Sequence, residues 1–234
     1  MSTVELGAAT WPDIAAMERT RLLAVPVGSL EQHGPHLPLD TDTRIAHQLA
    51  TRLTRARPDV VVAPAVPYGA SGEHSAFPGT LVVNHAVLAD LLVELVRSAR
   101  GAFAGVIVIS AHGGNGDGLA VVDARCRAEG DAVMVWAAGT PGGDAHAGRT
   151  ETSLMLAVDP GSVRLELAEA GCTEPLEVLL PRLRSEGVRP VSSNGVLGDP
   201  RGASAEEGTL LIAAMTARLV DAVAARWPVA GPTP

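Results

Sequence analysis

Four short apolar runs recur along this chain with helical patterns between them: Leu22–Val27, Val60–Val66, Val106–Ser110 and Ala132–Ala137. Most are rich in Val or Ile and apolar on both faces, as the central strands of a parallel sheet must be when helices cover both sides. Parallel strands need a crossover, and the intervening segments supply it. One amphipathic stretch runs from about Thr43 to Arg57. A second starts after Asn84, which can cap a helix N-terminus, and carries Leu88, Leu91, Leu92 and Leu95 on to Arg100. A third follows Asn115 and places Leu119, Val122 and Cys126 on one side. Strand alternating with helix predicts right-handed βαβ units and a three-layer α/β/α sandwich around a mostly parallel sheet.

The second half is less regular. Thr150–Ala157 and Glu174–Glu186 read as helices, the latter packed through Leu176, Val178, Leu179, Leu180 and Leu183. Residues 190–202, rich in Gly, Pro, Ser and Asn, read as a loop. Ser204 with Glu207 has the spacing of a capping box and opens a final helix to about Arg226. One domain over residues 1–227 is expected, with 228–234 as a flexible tail.

Composition narrows the function. A net charge of −8 argues against a nucleic-acid surface, which normally carries a basic stripe. No run of about 20 apolar residues is present, so no membrane span is expected. No basic-then-apolar leader opens the chain, and the two cysteines, Cys126 and Cys172, do not make a disulfide framework. A cytoplasmic protein is the expectation.

The chemistry lies where the apolar runs end. In open α/β sheets ligands bind at the carboxyl ends of the strands. The first run leads into Gly28–Asp42, which holds Glu31, His33, His36, Asp40 and Asp42. Glu73 and His74 follow the second run, His112 follows the third, and His146 with Glu151 follows the fourth. Each run thus delivers a His-bearing polar loop to one edge. Carboxylate oxygen with imidazole nitrogen and no nearby thiolate suits Zn, Mn or Fe at a catalytic site. The run Gly114–Gly118 also suggests a nucleotide loop, but it lacks the Gly-x-Gly-x-x-Gly spacing.

Four segments carry a resemblance. Gly28-Ser-Leu-Glu-Gln-His-Gly-Pro-His-Leu-Pro-Leu-Asp-Thr-Asp42, Gly72-Glu-His-Ser-Ala-Phe-Pro-Gly-Thr80, His112-Gly-Gly-Asn115 and His146-Ala-Gly-Arg-Thr-Glu-Thr-Ser153 are similar, in order, to the motifs of creatininase family amidohydrolases. The run Asn194–Pro200, with Gly202–Ser204, resembles the branch of that family found in mycofactocin biosynthesis, a peptidase that trims a modified precursor peptide.

The resemblance implies two divalent metal ions per chain. Glu31 and His112 would bind one, His33 the other, and Asp42 would bridge them. Creatininase proper takes a further Glu two residues after the His matching His112; here that residue is Gly114. Glu151 is the candidate replacement, both as ligand and as part of the catalytic set. His146 matches the family's proton-transfer histidine. A metal pair of this kind polarises an amide carbonyl and lowers the pKa of water, and a neighbouring His passes a proton to the leaving nitrogen. His36 and Asp40 would support the ligands. Glu73, His74, Gly113 and Gly114 are assigned to the substrate pocket, with loop scaffolding the alternative for Glu73 and His74. His47 and His85 read as ordinary helix residues. The expected substrate is a modified peptide, and the family implies a homo-oligomer such as a hexamer. A small cyclic amide or formamide is the alternative substrate, and a non-catalytic binding module of the same fold the alternative role.

Overall fold

The computed structural model describes residues 5–228, so positions 229–234 of the expected tail lie outside the described residues. After a short helix α1 (Trp11–Ala15), strands and helices alternate: β1 (Leu22–Val27), α2 (Thr41–Ala56), β2 (Val60–Val62), α3 (His85–Ala99), β3 (Gly105–Ser110), α4 (Gly116–Ala128) and β4 (Val133–Ala137). Helices α5 (Arg149–Val158), α6 (Leu176–Glu186), α7 (Val188–Val191) and α8 (Ala205–Arg226) complete the chain. The four strands pair in the order β2-β1-β3-β4, all parallel.

Side-chain alternation sorts the strands between two cores. Leu22, Ala24, Val60, Val62, Ile107 and Ile109 face one way, onto α2, α5 and α8. Leu23, Val25, Val61, Val106, Val108 and Val133 face the other, onto α3 and α4. Every residue of β1 and β3 is buried, as the doubly apolar runs require. The three layers of the expected sandwich are therefore present.

The departures have local causes. The second run forms a ladder only over Val60–Val62, because Pro64 and Pro67 lack backbone donors. Val66 returns as a single bridge to Val27. The expected loop from 190 begins inside α7, which spans Val188–Val191. Only half of the capping box forms. Ser204 accepts the Glu207 N–H, but the Glu207 carboxylate turns instead to Arg149 and Ser153. By length and composition α8 is apolar enough to cross a membrane, although charged residues such as Glu206, Arg218 and Asp221 interrupt its apolar run. Its Ile212, Met215, Leu219 and Val223 close the first core.

A third, smaller cluster stands apart from both main cores. Leu179, Leu183, Val188 and Leu197 pack with Phe77, Ala145, Cys172 and Val191. It seats α6 and α7 on the Gly72–His74 turn. Arg189 fastens the contact, donating to Ala76 O at 2.8 Å with its guanidinium 5.6 Å from the Phe77 ring centre.

Candidate metal centre

The loops after β1, β2 and β3 are drawn together by one amide. Asn115 Nδ2 donates to Gly28 O (3.1 Å) and Ser110 Oγ (3.3 Å), and its Oδ1 accepts the Ala70 N–H (2.9 Å). Gly28 lets α2 begin directly over the end of β1. A Cβ there would lie 2.4 Å from Thr43 N. Asp42 consequently stands in the first turn of α2, where the helix dipole favours a carboxylate.

Glu31, His33, Asp42, His112 and His146 converge at this edge, all buried, and Glu151 joins them from the first turn of α5. Donor atoms of Glu31, Asp42 and His112 lie within 4.8 Å of one another, as do those of His33, Asp42 and Glu151. Asp42 belongs to both groups. His112 Nδ1 is 3.2 Å from Asp42 Oδ2, and His112 Nε2 is 3.3 Å from Glu31 Oε2. On the other side, His33 Nε2 is 3.2 Å from Asp42 Oδ1 and 3.9 Å from Glu151 Oε2. A third set, Glu31, His33 and His146, meets the same criterion.

The chemistry of this set fits a divalent metal. Both Glu31 oxygens are buried without a hydrogen-bond donor, and a buried carboxylate needs a compensating cation. Burial raises the Glu31 carboxyl above its usual range, while His112 opposes the shift. Burial also disfavours charge on His33, yet Asp42, Glu151 and Glu31 outweigh it and lift the imidazole to about 10. His112 is lifted against burial to about 9 by Glu31 and Asp42. Asp42 is held well below the carboxylate range despite burial, by His33 and His112. Burial raises Glu151 to about 7. The two histidines thus hold protons where cationic charge is called for.

Those protons must leave before the nitrogens can ligate. At pH 8, below both histidine values and above that of Glu151, metal uptake is expected to release about two protons and to tighten about 100-fold per pH unit. Zinc competition titrations between pH 7.5 and 8.5 measure this slope, and a pH-independent affinity would show that the two histidines are already neutral before metal binds.

Gln32, which the sequence did not single out, sets the histidine tautomers. His146 Nε2 lies 2.8 Å from Gln32 O, a pure acceptor, so Nε2 carries the hydrogen. His146 Nδ1 then presents its lone pair toward Glu31 Oε1 (3.6 Å) and Glu151 Oε2 (4.0 Å). The Gln32 side-chain amide donates to Gly195 O (3.0 Å) and to His74 Nδ1 (2.9 Å), which leaves the His74 hydrogen on Nε2, 3.4 Å from Glu31 Oε1. Burial, with His33 nearby, drives His146 well below its ordinary value and His74 down to about 3.

The remaining expectations divide. His36 bonds Thr152 Oγ1 at 2.9 Å, beside Glu151 in the chain. Asp40 supports no ligand. Its carboxylate goes to Arg44 at 2.7 Å, one helical turn on and better placed than the buried centre. Glu73, His74, Gly113 and Gly114 line the adjoining cavity. His85 lines it too, and donates Nε2–H to Gly114 O at 2.9 Å, so it is more than an ordinary helix residue. Ala147 carried no sequence signal. It is buried at φ 52, the one non-Gly residue with positive φ among the described residues, and its N–H donates to Glu151 Oε2 at 2.6 Å. Such a conformation costs about 1–2 kcal/mol, offset here by the charged hydrogen bond.

Glu151→Gln is expected to weaken only the group built on His33, leaving about one metal per chain at the Glu31–Asp42–His112 group, with affinity at the altered group down at least about 100-fold. Metal analysis of the dialysed variant decides this, and two tightly held ions would remove Glu151 from the ligand set.

The model of the creatininase family, described as creatinine amidohydrolase, matches residues 7–223. This chain belongs to the creatininase family. Among its relatives, the mycofactocin precursor peptide peptidase of Mycolicibacterium smegmatis (strain ATCC 700084 / mc(2)155) is 47% identical over 211 residues, covering 88% of this chain and 85% of that protein. The creatinine amidohydrolase of Pseudomonas putida is 27% identical over 260 residues, covering 97% and 98%. A solved creatininase variant of zinc–zinc type superposes with a TM-score of 0.79 at 24% identity, covering 98% of this chain and 100% of that one. Family membership makes the chain a metal-dependent hydrolase of amide bonds, the creatininase fold being the sandwich described above.

Proposed function

We propose that this creatininase-family chain is a peptidase that releases a C-terminal fragment from a modified precursor peptide, the reaction class named for its mycofactocin relatives. The observation that carries the reading is the cavity beside Glu31, Asp42, His112 and Glu151. At about 740 Å³ it reaches from the ligand cluster to α6, a size that suits a ligand far larger than a five-membered cyclic amide. Gly113 lines it with open space where a side chain would begin.

Glu31, Asp42 and His112 would hold one divalent ion, and His33, Asp42 and Glu151 the second. Bound there, the pair supplies Lewis acidity toward the scissile carbonyl and an activated water. The chain's own groups do the rest. Gln32 O fixes the Nε2–H of His146, so that Nδ1 can take a proton from the attacking water and return it to the leaving nitrogen. The amide of Gln32 holds His74 with its Nε2–H toward Glu31. The loop ties through Asn115 keep these groups in place before substrate arrives.

The test is mass spectrometry of the zinc- or manganese-loaded protein incubated with modified precursor, unmodified precursor and creatinine. Release of a C-terminal fragment from the modified peptide is expected, abolished by chelation and recovered on adding metal back. Turnover of creatinine with no peptide fragment would overturn the reading.

A further inference from the structure

Helix α6 has two working faces. Leu179 and Leu183 are buried in the third cluster and anchor it. Leu176, Leu180 and Arg184, spaced i, i+4 and i+8, fall on one stripe, and all three line the cavity that reaches the metal ligands. Leu176 and Leu180 are 40% and 37% exposed, high for large aliphatic side chains on a helix that has a core beside it. Arg184 makes no ion pair or hydrogen bond with the described residues, unlike its neighbour Arg182, which pairs with Glu186. It is also the one Arg among the lining residues. Histidines apart, the other charged groups there are acidic, with Glu73, Asp117 and Glu186 outside the ligand cluster.

Away from the ligand cluster, an anionic group entering this cavity meets the carboxylates of Glu73, Asp117 and Glu186 and finds a cation only at Arg184. An apolar group finds its complement against Leu176 and Leu180. We propose that the α6 stripe is the specificity track of the site, seating an apolar substrate side chain on Leu176 and Leu180 and pairing a substrate carboxylate with Arg184. Four helix residues advance about 6 Å, and an extended peptide covers that in about two residues at ~3.3 Å each. The apolar residue and the carboxylate therefore stand about two positions apart. The carboxylate is an acidic side chain or a free C-terminus. The helix dipole alone would account for a cation in the last turn of α6, but it would not tie that cation to substrate choice. The inference rests on the peptidase reading, and its test separates the two.

Metal-loaded full-length protein is assayed with labelled peptides carrying an apolar residue and, two positions away, Glu, Gln or Lys. Two further peptides replace the apolar residue by Ser, or the Glu by a free C-terminus. Both binding, by fluorescence anisotropy, and cleavage are followed. Arg184→Glu is expected to raise KM and Kd for the Glu peptide about 10-fold and to shift preference toward the Lys peptide, with kcat within about 2-fold, the scale of one partly screened charge pair. Leu180→Ser should weaken the apolar peptide about 10-fold and leave the Ser peptide unchanged. Whichever of the Glu and C-terminal peptides loses more to Arg184→Glu identifies the source of the carboxylate. An unchanged Glu-to-Lys preference, or a loss confined to kcat or to thermal stability, overturns the track. Selective binding without cleavage would sustain the track and sink the peptidase reading. Cleavage without selectivity would do the reverse, and absence of binding by every peptide would overturn the track.

Discussion

Asp42→Ala is expected to lose both metals at once and to lower kcat/KM on the order of 10⁴-fold, the scale seen when a reaction loses a group its whole centre depends on. Asp42 is the carboxylate common to the Glu31–Asp42–His112 and His33–Asp42–Glu151 groups, one oxygen turned to His33 and the other to His112. Ser29 fixes the second oxygen at 2.6 Å. The remaining side chains could offer each ion only two ligands, fewer than the three plus water of a typical catalytic site. The loop ties through Asn115 do not pass through Asp42, so the fold should persist. Asp42→Asn, which keeps the shape and removes the charge, should bind metal weakly and melt cooperatively. Metal analysis beside circular dichroism tests both variants. Retention of either ion at full occupancy by Asp42→Ala would show that the two groups are not joined through this residue.

Gly114→Ala is the second large effect. A Cβ at this position would lie 2.4 Å from His112 Nε2, 2.6 Å from Ala70 O and 2.9 Å from Glu73 Oε1. The Ala70 carbonyl is backbone and gives little, so His112 must move. The expected result is loss of the ion at the Glu31–Asp42–His112 group, with the His33 group still loaded and kcat/KM down about 100-fold, the loss a misplacement of about 1 Å produces. The same crowding explains why the carboxylate that the creatininase resemblance leads one to seek at 114 has no place in this chain. Wild-type activity and two ions per chain in Gly114→Ala would refute the account.

Much of the frame was legible because its signals are local. β1 was placed to the residue, since an apolar run flanked by polar segments has only one way to sit in a buried sheet. Asn84 and Ser204 cap α3 and α8, their side chains accepting the Val87 and Glu207 N–H groups. The candidate ligands could be listed because each lies after a strand. What escaped depends on partners far away in sequence. Gln32 reaches His74, His146 and Gly195, separated from it by 42, 114 and 163 positions. No spacing rule finds such a hub. Ala147 adopts a conformation that its residue type disfavours, so its identity argued against the role it plays. Asp40 misled because it stands among ligands, whereas a neighbouring Arg44 settles where its carboxylate goes.

The separate seat of α6 and α7 on its own small cluster uncouples their packing from that of the sheet. Substitutions along α6 can alter what the enzyme accepts without disturbing the sheet that carries the reaction. The bond-breaking apparatus can stay fixed while the taste of the enzyme drifts. A graft of residues 172–191 between relatives would then carry preference for one substrate to another while leaving the pace of the chemistry behind.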